Sequence, residues 1–167
     1  VIFVLNKGVV EQAGHPLEVY ARPKTRFVAS FLGSPAMNFA EVELAREGPV
    51  WVAAGKDGLR FPFDGKPFEG RLEVGMKATL GVRAHDVEIA SSSSTYRTTD
   101  SQSVPLAVTI VEALGTESFV HGTLGGSAFV ARLDAGLAVK KGETLDLWFK
   151  SLHLFDGTTG ASLRNEP

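Results

Sequence analysis

The residues that could grip a phosphate group do not occur in the pattern that this chemistry needs. A phosphate-binding loop combines glycine-rich backbone with a lysine and then a serine or threonine hydroxyl for Mg²⁺. The two Gly-Lys pairs of this sequence continue as Gly-Lys-Asp at Gly55–Asp57 and as Gly-Lys-Pro at Gly65–Pro67. Because neither supplies the metal-binding hydroxyl, we interpret both as turns.

Metal-binding and nucleophilic patterns are missing from the sequence as well. The histidines His15, His85, His121 and His153 are scattered, and no two have the four-residue spacing that places two imidazoles on one helix face for zinc. No Gly-x-Ser-x-Gly elbow is present, and the segment Asp156–Gly160 lacks the alternating carboxylates of a calcium loop, so we predict a β-turn there. The sequence therefore predicts no catalytic, no cofactor-binding and no metal-ligating residue in this chain.

Charge and composition restrict the class of partner. The 167 residues contain 17 Lys and Arg against 19 Asp and Glu, a formal net charge of -2. Since binding to a nucleic-acid backbone needs an excess of positive charge, we predict no nucleic-acid partner. With no cysteine there is no disulfide framework and no thiolate metal site.

The first 33 residues are predicted to form a hairpin and two short helices. The apolar run 1–5 is followed by a loop that ends in Gly8 and by the segment Val9–Gln12, which together indicate a β-hairpin. An isolated hairpin is only marginally stable, and the sequence starts with Val rather than Met, so we expect a fragment of a longer protein.

Proline and glycine set the limits of the two helices. Pro16 can open the first helix, and Pro23 ends it because the residue before a proline avoids the α region. A second helix has its apolar face on residues 27–32 and stops at Gly33, where we place a domain boundary.

Beyond Gly33 the pattern changes to short alternating runs between glycine-containing turns, which is typical of an all-β sandwich or barrel. The polar, serine-rich stretch 91–103 is predicted to be a mobile loop, because it buries too little apolar surface to offset its ordering entropy. Eight strands are predicted: Phe39–Leu44, Val50–Ala54, Leu59–Phe63, Ala78–Arg83, Leu106–Glu112, Phe119–Leu124, Ala128–Leu133 and Thr144–Lys150.

Specific motifs run through the whole chain. The segment Gln12–Gly14 reads Gln-x-Gly, Pro16–Pro23 reads Pro-x-Glu-x-Tyr-x-x-Pro, and both precede the block Phe27–Asn38. Together they resemble the end of the nucleotide-binding domain of ABC importer ATPases for sugars. The resemblance implies that residues 1–33 are a C-terminal remnant of that domain and that 34–167 form an OB-like regulatory domain of the TOBE type.

The markers of the regulatory domain lie on three segments. Gly81–Asp86 resembles a Gly-x-Arg-Pro-Glu-His signature, Val111–Gly115 a Val-Glu-x-Leu-Gly strand end, and Leu152–Gly160 a closing His-Leu-Phe-Asp motif. The first departs from the family, since Ala-His-Asp follows Arg83. The resemblance therefore implies a mainly β fold, with an OB-like regulatory barrel of antiparallel strands preceded by a short hairpin-plus-helix remnant.

The family resemblance also implies a function and partners. The parent protein would couple ATP hydrolysis, with Mg and ATP as cofactors, to solute uptake. Ser34–Asn38, His121 with Gly122, and the closing motif are more similar to the glycerol-3-phosphate branch than to the maltose branch. The implied partners are a second copy of the chain, transmembrane permease subunits and a cytoplasmic regulatory protein, and the implied location is the inner face of the cell membrane.

Five residues of these motifs are candidates for regulation or interface contact: Arg83, Glu112, Gly115, His153 and Phe155. Each also has a structural interpretation, as core for Phe155, as a turn requirement for Gly115 and as an ion pair for Arg83 or Glu112. Two other functions stay open. One is a small-ligand or oxyanion-sensing barrel, suggested by related barrels in molybdate transport, and the other is an autonomous enzyme.

Overall fold

A computed structural model describes residues 1–90 and 103–165, so nearly all of the predicted serine-rich loop lies outside the described residues. The mainly β prediction is confirmed: the described chain forms antiparallel strands with two short helices. Within the two described ranges, none of the helices has the length and apolar character needed to cross a membrane.

The chain opens with the predicted hairpin. Strand β1 (Ile2–Asn6) pairs antiparallel with β2 (Val9–Gly14). The connection between them consists of Lys7 at φ 48 and Gly8 at φ 84. Two successive positive φ angles match the right-handed twist of the strands, which is why glycine is suited to the second position.

Two six-residue helices follow, as predicted. Helix α1 (Pro16–Ala21) starts with proline in its first turn, and α2 (Arg26–Phe31) is capped by Thr25, whose hydroxyl accepts a hydrogen bond from the Val28 amide at 3.2 Å. A small apolar cluster joins these helices to the hairpin through three buried valines, one each from β1, α1 and α2: Val4, Val19 and Val28.

The remaining strands divide between two five-stranded sheets. The first has the order β12-β6-β3-β4-β5. Its strands are β3 (Asn38–Glu47), β4 (Val50–Gly55), β5 (Arg60–Phe63), β6 (Lys77–Val82) and β12 (His153–Asp156). The second has the order β10-β9-β8-β11-β7. Its strands are β7 (Val87–Ile89), β8 (Val104–Leu114), β9 (Glu117–Leu124), β10 (Ser127–Asp134) and β11 (Thr144–Phe149).

Both sheets contribute to one hydrophobic core. Phe149 of the second sheet lies between Phe61 of the first and Phe129 of its own sheet, with ring centroids 4.7 and 5.7 Å apart. The buried Asn38 also links the sheets, because its amide group both donates to and accepts from the Val130 backbone, at 2.9 and 2.8 Å. The side-chain amide thus takes the place of a strand-pairing partner.

All eight predicted strands are present, with bounds within three residues of the prediction. Two strands were missed. β7 is only three residues long. β12 does not alternate, because His153, Leu154 and Phe155 are all buried, and a strand that is covered on both faces has no period of two.

Candidate functional site

Three of the five candidate residues come together where the N-terminal helices meet the first sheet. Arg83 follows β6, while His153 and Phe155 lie on β12, and β6 and β12 are neighbours in the sheet. All three side chains are buried. Glu112 and Gly115 lie elsewhere, at the turn between β8 and β9.

Arg83 ties the helices to the sheet and is only 3% exposed. Its Nη1 donates to the Leu32 carbonyl at 2.8 Å, and its Nη2 donates to the Tyr20 carbonyl at 2.6 Å. The guanidinium carbon also lies 3.6 Å from the centre of the Tyr20 ring, a cation–π contact. Arg83 therefore satisfies the C-terminal carbonyl ends of both helices with one planar group, a geometry that lysine cannot reproduce.

Tyr20 and Asp86 lie close enough to Arg83 to affect its charge. Burial lowers the pKa of Arg83, while Tyr20 and Asp86 oppose that shift. The ring of His85 stacks on Tyr20 at a centroid distance of 6.0 Å. The Ala-His-Asp segment that departs from the family signature thus contacts helix α1 through the His85 ring.

Phe155 belongs to a separate cluster at this junction and not to the main core. It is fully buried with Ala29 of α2 and Met37, and its ring meets Phe39 edge-on at 6.1 Å. Gly81 in β6 makes this packing possible, since a Cβ there would lie 2.6 Å from Met37 Sδ and 3.0 Å from the Phe155 ring. The glycine of the first marker and the phenylalanine of the last are therefore one packing unit.

His153 lies on the same side of β12, and its imidazole is stacked 6.2 Å from the Phe155 ring. It is 6% exposed, and burial, followed by Arg83 and Arg164, lowers its pKa to about 4. His153 is therefore neutral at physiological pH. The next side chain, Leu154, faces the opposite way into the main core.

The closing motif ends in a turn, as predicted for residues 156–160. The Asp156 carboxylate accepts hydrogen bonds from the Thr158 and Thr159 amides and from the Thr159 hydroxyl. These bonds lower the pKa of Asp156. Over the described ranges, no cluster of histidine, cysteine and carboxylate residues is suited to hold a metal ion.

Gly115 and Glu112 lie on the hairpin that β8 and β9 form. Gly115 adopts φ 75, so the turn accounts for glycine there, as the structural interpretation predicts. Glu112 faces His121 across the strands at 3.5 Å on an exposed surface, where such a pair contributes little to stability. The end of β8 is exposed, including Ile110 and Leu114, and we call the segment 110–117 the hairpin tip.

Two family models match overlapping parts of the chain. Residues 33–87 match the family of the MalK OB fold domain, and residues 80–155 match the TOBE domain family. The chain is 38% identical over 169 residues to the sn-glycerol-3-phosphate import ATP-binding protein UgpC of Yersinia pestis, with 99% of this chain aligned. Residues 33–155 of the chain therefore belong to the MalK OB fold and TOBE domain families.

The family relatives are longer than this chain. The alignment covers 43% of the Yersinia pestis protein and 41% of UgpC 2 from Agrobacterium fabrum, which is 38% identical over 168 residues. UgpC of Salmonella typhi is 39% identical over 163 residues, with 42% of its length covered. The chain therefore spans less than half the length of these relatives. A solved structure of the molybdate-binding protein ModG aligns with 69% of this chain and 94% of its own, at a TM-score of 0.48 and 20% identity.

The sequence patterns did not indicate which residues contact Arg83 and Phe155. Tyr20 supplies a carbonyl and a ring to Arg83, and it lies in the Pro-x-Glu-x-Tyr-x-x-Pro motif. Met37 packs on Gly81, and it lies in the Phe27–Asn38 block. The sequence contains both motifs, but a linear pattern does not predict contacts between residues about 45 to 65 positions apart. Such contacts depend on tertiary packing.

Proposed function

We propose that this chain is the C-terminal regulatory and dimerisation region of the ATPase subunit of an importer for sn-glycerol-3-phosphate or a sugar. The observation that carries the proposal is the alignment of 99% of the chain with glycerol-3-phosphate import ATP-binding proteins. The parent subunit would bind ATP with Mg, hydrolyse it and drive permease subunits from the inner face of the membrane. The regulatory region would also receive a regulatory protein.

We propose a domain boundary near Gly33, between a remnant of the nucleotide-binding domain and the regulatory domain. The N-terminal hairpin supports it, because several of its large apolar side chains are at least half exposed in the described chain. In the parent subunit, the rest of the nucleotide-binding domain would cover them. They are Val1, Phe3, Leu5, Val9 and Val10.

A chimera tests the transport function. The aligned segment of the Agrobacterium fabrum UgpC 2 protein is replaced by this chain, and uptake of radiolabelled sn-glycerol-3-phosphate is measured in cells that lack their own subunit. We expect uptake to be retained by the chimera and lost when the segment is deleted. A chimera that assembles with the permease and hydrolyses ATP without any uptake would contradict the proposal.

Self-association is proposed to use the hairpin tip. Ile110 and Leu114 are 54% and 55% exposed there, and two such side chains on a protruding hairpin are suited to contact a second copy in a symmetric interface. A dimer held at this end would keep paired nucleotide-binding domains at high effective concentration while they open.

Replacing both Ile110 and Leu114 with lysine is expected to shift the chain from dimer to monomer, because the paired tips would then repel each other. Sedimentation velocity at tens of micromolar measures the change. Val74→Lys is the matched control: Val74 is 68% exposed, lies in the connection before β6 and should leave the dimer intact. A wild-type chain that is monomeric at this concentration, or a double variant that dimerises normally, speaks against the tip as the interface.

A further inference from the structure

A cleft of about 490 Å³ separates the N-terminal segment from the C-terminal end of the described chain. Its walls come from helix α1 and the connection after it, from Arg71, and from β12 with the residues that follow it. Among the described residues that line the cleft, four side chains are cationic and one, that of Glu18, is a carboxylate. The cations are Arg22, Lys24, Arg71 and Arg164. A volume of this size fits a small-molecule ligand.

Two of the arginines repel each other in this cleft. Burial lowers the pKa of Arg164, and the positive charge of Arg22 lowers it further. Within the described ranges, neither Arg22 nor Arg71 nor Arg164 forms an ion pair with a carboxylate. The Nε atom of Arg164 is buried and lacks a described hydrogen-bond partner. An anion between these guanidinium groups would remove the repulsion and satisfy the free donors.

His153 adds a hydrogen-bonding group to the cleft. Its imidazole lines the cleft, and the residue is more than nine-tenths buried. A neutral imidazole carries one donor and one acceptor nitrogen, which a ligand in the cleft can use. The same imidazole is close enough to Arg164 to be affected by its charge.

The cleft wall is also held in a fixed conformation. The buried Gln12 donates from Nε2 to the Arg22 carbonyl at 3.0 Å and accepts at Oε1 from the Lys24 amide at 2.8 Å. On the opposite wall, the Ser162 amide donates to the Lys24 carbonyl at 2.8 Å. The connection that carries Arg22 is therefore fixed before any ligand binds, which reduces the entropic cost of binding.

We propose that this cleft binds the phosphate group of an anionic small molecule, held by Arg22, Arg71 and Arg164 with His153 as a hydrogen-bonding partner. Guanidinium groups form paired hydrogen bonds with phosphate oxygens, and several arginines around one site favour a doubly charged tetrahedral anion over a single carboxylate. The proposal goes beyond the transport function, since it concerns ligand binding by this chain alone.

Isothermal titration calorimetry of the chain with inorganic phosphate, sn-glycerol-3-phosphate and glycerol tests the site. We expect both phosphates to bind with a dissociation constant of about 1 mM or tighter, and glycerol not to bind. Tighter binding of the ester identifies an organic phosphate as the ligand, and equal binding identifies the phosphate group itself. Absence of binding by both phosphates up to about 10 mM overturns the proposal.

Variants locate the binding event. Arg22→Gln and Arg164→Gln are each expected to weaken phosphate binding about tenfold or more, by loss of a charge-assisted hydrogen bond. Because Arg22 is exposed, Arg22→Gln should fold normally even if Arg164→Gln does not. Arg46→Gln is the matched control: Arg46 lies on β3 over the Trp51 ring, away from the cleft. Equal weakening by Arg46→Gln, or none by Arg22→Gln, would disprove the assignment.

A second measurement reports on His153 directly. Titration of the histidine ring signals by NMR is expected to show the pKa of His153 rising from about 4 when phosphate is added, because a nearby anion stabilises the imidazolium. The ring signals of His85, which does not line the cleft, should not move when phosphate is added. An unchanged His153 in the presence of bound phosphate would place the anion elsewhere. Neither measurement depends on uptake, so this site and the transport function can fail separately.

Discussion

Replacing Phe155 with alanine is expected to lower the free energy of unfolding by about 3–5 kcal/mol. The ring is fully buried, meets Phe39 edge-on and fills the space beside Met37 and Ala29. Truncation would leave a cavity where α2 meets the sheet, and the rigid backbone of β6 around Gly81 prevents it from collapsing. Urea denaturation followed by tryptophan fluorescence measures the loss.

Two further variants test whether the loss of stability arises from the burial and the volume of the Phe155 ring. Phe31→Ala is the control, since Phe31 is 69% exposed at the end of α2, and its removal should cost less than about 1 kcal/mol. Phe155→Leu should recover part of the loss, because leucine fills most of the volume. If Phe155→Ala is no more destabilising than Phe31→Ala, the ring does not hold the junction together.

Acidification is expected to destabilise the chain through His153. Its pKa falls from 6.5 in the unfolded chain to about 4 in the folded one, so between these values the unfolded chain binds more protons. Stability from the neutral imidazole is therefore complete above pH 6.5 and is lost as the pH falls towards 4. The shift corresponds to about 3 kcal/mol over this window.

The His153→Gln variant isolates this effect. Chemical denaturation at several pH values should show a steep loss of stability for the wild-type chain between pH 6.5 and 4, and a shallower one for the variant. His85→Gln is the control, because His85 is half exposed at the surface and should keep the wild-type slope. Identical slopes in wild type and His153→Gln would mean that His153 titrates normally in the folded chain.

The motifs predicted candidate residues, but they did not predict the contacts of these residues. Arg83, His153 and Phe155 belong to two motifs about 70 positions apart, and the structure places both motifs on neighbouring strands beside the helices. The interpretation of Arg83 as part of an ion pair differs from what the structure shows. Its guanidinium group donates hydrogen bonds to two backbone carbonyl groups instead. A regulatory role for any of the five candidates stays a prediction.

The sequence alone determined the local elements. Alternating apolar residues predicted the strands, while Pro16, Pro23 and Gly33 predicted the limits of the helices, because each of these signals acts over a few bonds of the backbone. The absence of a Gly-Lys-Ser/Thr pattern is likewise a property of the linear chain. The motifs also indicated a resemblance to a protein family, because they extend over almost the whole sequence.

Only the tertiary structure decided which face each motif presents and what it touches. It buries His153 and Phe155 on the side of β12 that meets the helices, and Leu154 on the side that meets the main core. It also brings Arg22 and Arg164 to one cleft, although 142 positions separate them. Burial on two faces and charge across a cleft arise from long-range packing, and no local pattern of residues encodes them.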